Sequence, residues 1–145
     1  MLFKFLGNKN LNIWPIFANK IKNLNKQNEL RIEQASYLIK VIKSSNIKTP
    51  RLTLGQSSVF HQFPILSRDR KSLMAFLRKK GINCGIYYPK PLSKMKAFRN
   101  IVSSRKVHSE NSEIASNRIL SLPIGPHLNI KDSEYIANAI QSFPK

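Results

Sequence analysis

The residues of this chain with most to offer chemistry are two adjacent tyrosines at the head of a proline turn, Tyr87-Tyr88-Pro89-Lys90-Pro91. A phenol brings a hydroxyl that both donates and accepts, together with a flat apolar ring. Such groups recognise a polar ligand by contact and do not by themselves break bonds. At the end of a strand their side chains would alternate, one packing inward and the other presenting ring and hydroxyl to a cleft. Pro89 and Pro91 restrict the residues before them to extended backbone. The other reactive residue types are scattered. His61, His108 and His127 stand apart and read as surface or hydrogen-bonded structural histidines. The seven acidic residues include no pair placed for acid–base work. Among 25 basic residues, no lysine is marked as desolvated, the condition that makes an amine nucleophilic. Cys84 is the one cysteine, so there is no disulfide framework and no metal-type spacing, and it reads as a small core residue. No glycine-rich phosphate loop is present. The residues alone describe a binding or completing module, not a self-sufficient enzyme.

These side chains need a scaffold, and 145 residues allow one domain or a piece of a larger one. From Pro15 to Ser44 the spacing predicts a long helix. Phe17, Ile21 and Leu24 share one face, Ile32, Ala35, Ile39 and Ile42 continue the pattern, and Asn25 to Glu29 is a bend or an exposed turn. Val59 to Leu66 predicts a strand that is at an edge or broken at Pro64, which has no N–H to give a ladder. Asp69 is a candidate N-cap for a helix burying Leu73, Phe76 and Leu77, and Gly81 sits where a left-handed C-terminal residue belongs. Ile82 to Tyr88 reads as a second short strand. Ser112 to Ile119 predicts a short helix leading into Leu120-Ser121-Leu122-Pro123. Asn129 and Asp132 fit the cap and third position of a last helix burying Tyr135 or Ile136, Ala139 or Ile140, and Phe143. The fold class is α/β (α+β), with helices covering a small sheet.

The formal charge of +18 suggests a phosphate-rich partner, yet the lysines are spread along the chain and accompany no nucleic-acid motif. Nonspecific nucleic-acid binding is therefore the expectation, with a dedicated basic nucleic-acid-binding protein as the rival reading. No apolar run approaches the roughly 18 residues of a membrane span, and MLFKFLGNKN is no convincing secretory signal. A cytoplasmic location without membrane attachment is expected.

The run from Ser57 to Leu92, SSVFHQFPILSRDRKSLMAFLRKKGINCGIYYPKPL, resembles the C-terminal region of the DegT/DnrJ/StrS family. These are pyridoxal-phosphate enzymes that aminate a keto-sugar carried on a nucleotide. Other pieces agree in order. Gly7 and Ala18 resemble the family's glycine–asparagine–arginine loop and the helix after it, and Arg31 resembles an arginine recurring along that helix. Glu113, Leu120-Ser121-Leu122-Pro123 and Pro126 resemble the Glu…LSLP..P segment before the last helix.

The resemblance implies the small C-terminal domain of a fold-type-I aminotransferase over residues 15–145, with residues 1–14 a remnant of the interdomain, cofactor-facing loop. The large domain, with the Schiff-base lysine and the acidic partner of the pyridine nitrogen, would precede Gly7 and is expected to be absent. The chain is then expected to be inactive alone and to hold no pyridoxal phosphate stably, unless a separately encoded N-terminal half completes it. Family members are homodimers acting in amino-sugar or cell-surface polysaccharide biosynthesis. By the same resemblance Tyr87, Tyr88 and Gln62 would face the sugar nucleotide. The loop asparagine that reaches the cofactor phosphate falls at Lys9 and the arginine after it at Leu11, leaving Asn8 or Asn10 as substitutes. Two positions that are often histidine in the family are Ser93 and Gly125 here.

Overall fold

A computed structural model describes residues 13–98 and 110–144. The predicted first helix is present as two, α1 (Trp14–Lys22) and α2 (Leu24–Val41). The break falls at Asn23, whose side-chain amide donates to the Asn19 carbonyl at 3.0 Å. It does not fall in Asn25 to Glu29, which α2 crosses without interruption. Pro15 lies in the first turn of α1, where its missing N–H leaves nothing unpaired. No residue of α1 is buried, whereas α2 buries Gln34, Ala35 and Leu38.

Three antiparallel strands form one sheet in the order β1 (Ile47–Lys48), β2 (Phe63–Ser67), β3 (Ile119–Leu122). Pro64 sits in the central strand, paired with Ser121, yet β1 reaches only Leu66 and Ser67. At Pro64 the strand therefore has one neighbour in the ladder, and the missing N–H is tolerated. The strand starts later than its composition predicts, because Phe60 takes a left-handed backbone (φ 46°) that turns the chain before Phe63. Such a conformation costs a non-glycine residue about 1–3 kcal/mol. Burial of the Phe60 ring, 6.0 Å from that of Phe63, offsets it.

Two strand assignments change. Ile82 to Tyr88 contributes only a single bridge, Gly85 to Ser121; Ile82 is buried and Cys84 and Ile86 pack against the core, while both tyrosines stay exposed. Leu120-Ser121-Leu122, expected as the lead-out of a helix, is the body of β3. Its apolar–polar–apolar alternation places both leucines on the core face.

α3 (Arg70–Lys79) starts on Asp69, whose carboxylate accepts the Ser72 N–H at 3.1 Å. α4 (Glu110–Arg118) runs directly into β3. The Arg70 guanidinium donates to the Ser116 and Ile119 carbonyls, joining the start of α3 to this α4–β3 junction. α5 (Ile130–Gln141) opens with a complete capping box. The Asn129 side chain accepts from Asp132 N–H at 3.2 Å, and the Asp132 carboxylate accepts from Asn129 N–H at 2.8 Å. Of the alternatives for α5, Ile136 is buried, as are both Ala139 and Ile140, while Tyr135 is exposed and its hydroxyl donates to the Lys80 carbonyl.

The core lies between the sheet and α2, α3 and α5, where Leu38, Leu73, Leu77 and Ile140 meet Phe63, Ile65 and Leu120. Leu73 and Leu77 have no solvent exposure, so truncating either to alanine would cost about 2–5 kcal/mol. With the helices covering one face, the other face of β3 is left for Ile119 and Ser121.

Candidate functional site

The path to the tyrosines begins at the end of α3. Gly81 adopts φ 76°, and two hydrogen bonds close the helix, Gly81 N–H to the Arg78 carbonyl (3.0 Å) and Ile82 N–H to the Leu77 carbonyl (2.9 Å). This Schellman closure reverses the chain and buries Ile82 against the core. Gly85 and Ser121 then exchange backbone hydrogen bonds, with Gly85 N–H donating at 3.0 Å and Ser121 N–H at 2.7 Å. Two residues later the chain delivers Tyr87 (49% exposed) and Tyr88 (72% exposed). The expected division into one inward and one outward tyrosine does not hold, because no strand continues past Gly85 to impose it.

The Tyr87 ring lies back over Gly85, so closely that a Cβ there would stand 2.3 Å from its Cε2 atom. From this position Tyr87 borders two cavities on the side of β3 away from the core. The larger, about 830 Å³, runs past Tyr88, Lys90, Leu92 and Ser93 to Ile119. The smaller, about 280 Å³, is a notch lined by His61, Gln62, Asn83, Gly85 and Ser121. A one-turn 3₁₀ helix, Leu92–Lys94, edges the larger cavity and is held to α4 by a 3.3 Å ion pair between Lys94 and Glu113.

A family model described as the DegT/DnrJ/EryC1/StrS aminotransferase family matches residues 15–141. The chain belongs to that family. Among its relatives, a "pleiotropic regulatory protein" of Geobacillus stearothermophilus is 29% identical over 131 residues, 88% of this chain and 35% of the relative. The dTDP-3-amino-3,6-dideoxy-α-D-galactopyranose transaminase of Aneurinibacillus thermoaerophilus is 28% identical over 133 residues, covering 88% of this chain and 34% of that protein. The solved structure of a DegT/DnrJ/EryC1/StrS aminotransferase from Brucella abortus superposes with a TM-score of 0.72 at 31% identity, over 87% of this chain and 33% of that one. The chain thus spans about a third of the length of the relatives it matches.

In this DegT-family chain the residues expected to meet substrate fall on two adjoining cavities, joined by Tyr87. Tyr87 and Tyr88 share the larger cavity, and Gln62 shares the notch with Tyr87. Asn8 and Asn10 lie outside the described residues. Ser93 borders the larger cavity, and the space beside Gly125 is filled by the His127 imidazole, whose Cε1 would lie 2.6 Å from a Cβ there. Composition gave no reason to single out Ser121 and Asn83. Ser121 lies on the outward side of an alternating strand, and that alternation was the available signal. Cys84 is half-buried beside the core, and burial pushes its thiol up to about 11, which keeps it protonated and unreactive near neutral pH.

The family uses pyridoxal phosphate. Its anchoring calls for a lysine held away from bulk water and an acid facing the pyridine nitrogen. Every described lysine is exposed and none of the seven carboxylates is buried, so the described residues do not fit the cofactor by themselves. Among the described residues no group of three or more His, Cys, Asp or Glu side chains converges on a metal-sized space. No helix among them is long and apolar enough to cross a membrane. What the cavities can do is bind: aromatic rings, neutral hydrogen-bonding groups and one lysine converge there, without a nucleophile or an acid–base pair.

Proposed function

We propose that residues 15–145 form the small C-terminal domain of a nucleotide-sugar aminotransferase and supply one wall of its substrate cleft. Tyr87, Tyr88 and Gln62 face the nucleotide-linked keto-sugar. Residues 1–14 lead in from the cofactor side, where Asn8 or Asn10 meets the cofactor phosphate. The imine-forming lysine and the acid that faces the pyridine nitrogen belong to a large domain outside these 145 residues, so the chain alone does not transaminate. The observation that carries this reading is the placement of Tyr87 between two cavities in a chain of this family.

The exposed apolar side of α1 favours completion by other polypeptide. Trp14, Phe17 and Ile21 share one side of the helix and are each more than half exposed, a stripe suited to the large domain, to a separately encoded N-terminal half or to the second subunit of a homodimer. In the assembled enzyme the product is an amino sugar for cell-surface polysaccharide.

The chain mixed with pyridoxal phosphate should develop no lysine-dependent absorbance near roughly 410–430 nm, the region of such Schiff bases. Adding the lysine-bearing N-terminal portion should produce that band and glutamate-dependent amination of a UDP-linked keto-sugar. A band from the chain alone, abolished by a single lysine substitution, would overturn this division of labour.

A further inference from the structure

The outer face of β3 is a trough that Tyr87 divides into two compartments of different chemistry. Ile119 lies in the larger one and Ser121 in the notch, two residues apart on the same side of the strand. The larger compartment offers apolar surface, two phenol rings and the ammonium of Lys90. The notch is lined by no lysine, arginine or carboxylate at all. Its polar groups are the carboxamides of Gln62 and Asn83, the hydroxyls of Tyr87 and Ser121, and the imidazole of His61.

Ser121 is the telling member. The residue is 6% exposed, and its Oγ is buried without a hydrogen-bond partner among the described residues. A buried hydroxyl left unpaired costs about 1–3 kcal/mol, a cost that a ligand donating to it or accepting from it removes. Its neighbours across the ladder cannot help: Pro64 has no N–H, and the Gly85 backbone groups are already spent on Ser121's own backbone.

We propose that the notch around Ser121 Oγ is a subsite for an uncharged, hydroxyl- or acetamido-bearing ring, and that Gly85 determines its shape by letting the Tyr87 ring seat as the dividing wall. The class follows from the lining. Neutral groups that both donate and accept match sugar hydroxyls, each of which does the same. A phosphate or carboxylate would lose its hydration there without meeting a fixed cation. At about 280 Å³ the notch holds roughly nine waters' worth of space, enough for one ring and too little for a nucleotide. The identification of that ring with the sugar of a nucleotide sugar rests on the function proposed above; the neutrality and size of the notch do not.

The test is a shift map by nuclear magnetic resonance on the 145-residue chain, titrated with methyl β-D-glucopyranoside, with glucuronate, with UDP and with UDP-glucose. The glucoside should move the side-chain amides of Gln62 and Asn83 and the backbone amide of Ser121, glucuronate should do so far less, and UDP should move the larger compartment only. Ser121→Ala removes the hydroxyl without adding bulk at a site that is 6% exposed; it should weaken glucoside and UDP-glucose by about three- to tenfold, the range for one hydrogen bond, and leave UDP unchanged. If UDP-glucose binds while the glucoside leaves the notch unmoved and Ser121→Ala changes nothing, the subsite is overturned and the substrate-cleft reading survives. If the glucoside fills the notch and neither UDP nor UDP-glucose binds, the subsite stands and the nucleotide-sugar reading falls. Equal shifts from glucuronate and glucoside would refute the neutral class. The map on the unsubstituted chain decides these outcomes even if the variant does not fold.

Discussion

Gln34 and Gly125 hold each other by hydrogen bonds running in both directions. The carboxamide nitrogen donates to the Gly125 carbonyl at 3.0 Å, and the Gly125 N–H donates to the carboxamide oxygen at 3.1 Å. The same nitrogen donates to the Leu128 carbonyl at 2.7 Å. One buried side chain of α2 thereby satisfies the turn that links β3 to α5. Gln34→Ala strands these backbone groups, each worth roughly 1–3 kcal/mol when buried and unpaired. A fall in the urea midpoint is expected, larger for Gln34→Glu, which sets a carboxylate against two carbonyls. An unchanged midpoint in both variants would remove the clamp from the account.

Gly85→Ala tests the seat of Tyr87. The added methyl would stand 2.3 Å from the ring, so the ring must leave. The backbone loses nothing, since Gly85 is not among the glycines with positive φ. The expected result is a near-wild-type unfolding midpoint together with displaced Tyr87 ring resonances and loss of the notch shifts. A variant whose Tyr87 signals do not move would contradict the contact.

The two capped helices should respond separately. Asn129→Ala removes the acceptor for the Lys131 and Asp132 N–H groups and should cost about 1 kcal/mol. The pKa of Asp69 is lowered below its ordinary value of 3.8, chiefly by hydrogen bonding to the Ser72 side chain and then to its backbone. The sign follows: a depressed carboxyl stabilises the fold fully above its unfolded pKa, and that contribution disappears as acid titrates it below 3.8. The acid limb of a stability–pH profile should therefore flatten in Asp69→Asn.

Cys84 gives the opposite limb. Its thiol ionises near 9.0 when unfolded and only at about 11 in the fold, because burial disfavours the thiolate. Between those values the unfolded chain releases a proton that the folded chain keeps, so stability falls as pH rises through this window. Cys84→Ala should remove that slope. Alkylation of the folded protein near neutral pH should be slow; labelling as fast as a free thiol would show the site to be open.

The charge of +18 predicts duplex DNA binding at low salt that weakens steeply on going to about 0.2 M salt and shows no sequence preference. A preference that persists at that salt would favour the rival nucleic-acid reading.

Features set by local chemistry were legible in the sequence. Asp69, Gly81 and the Asn129–Asp132 box declare helix ends because each acts on backbone within a few residues. Leu73 and Leu77 declare a buried stripe by spacing alone. The sheet was harder, since β1 has two residues and β3 four, too few for periodicity to outweigh neighbouring helix formers. Pro64 looked unsuited to a central strand because the reach of β1 is a tertiary fact. The tyrosine pair was visible as an exposed tip, and it borders a cavity, whereas Ser121 was hidden: a serine becomes notable only when burial has removed its partners.

The chain's single tryptophan, Trp14, sits on α1, a helix that buries nothing, with 77% of its surface in water. Intrinsic fluorescence is therefore tied to a helix that buries none of its residues, far in sequence from the sheet. A blue shift of the emission would register burial of that side chain, while binding confined to the tyrosines would leave its wavelength unchanged. The protein thus carries an optical probe of α1 that is independent of the cavities beside the tyrosines.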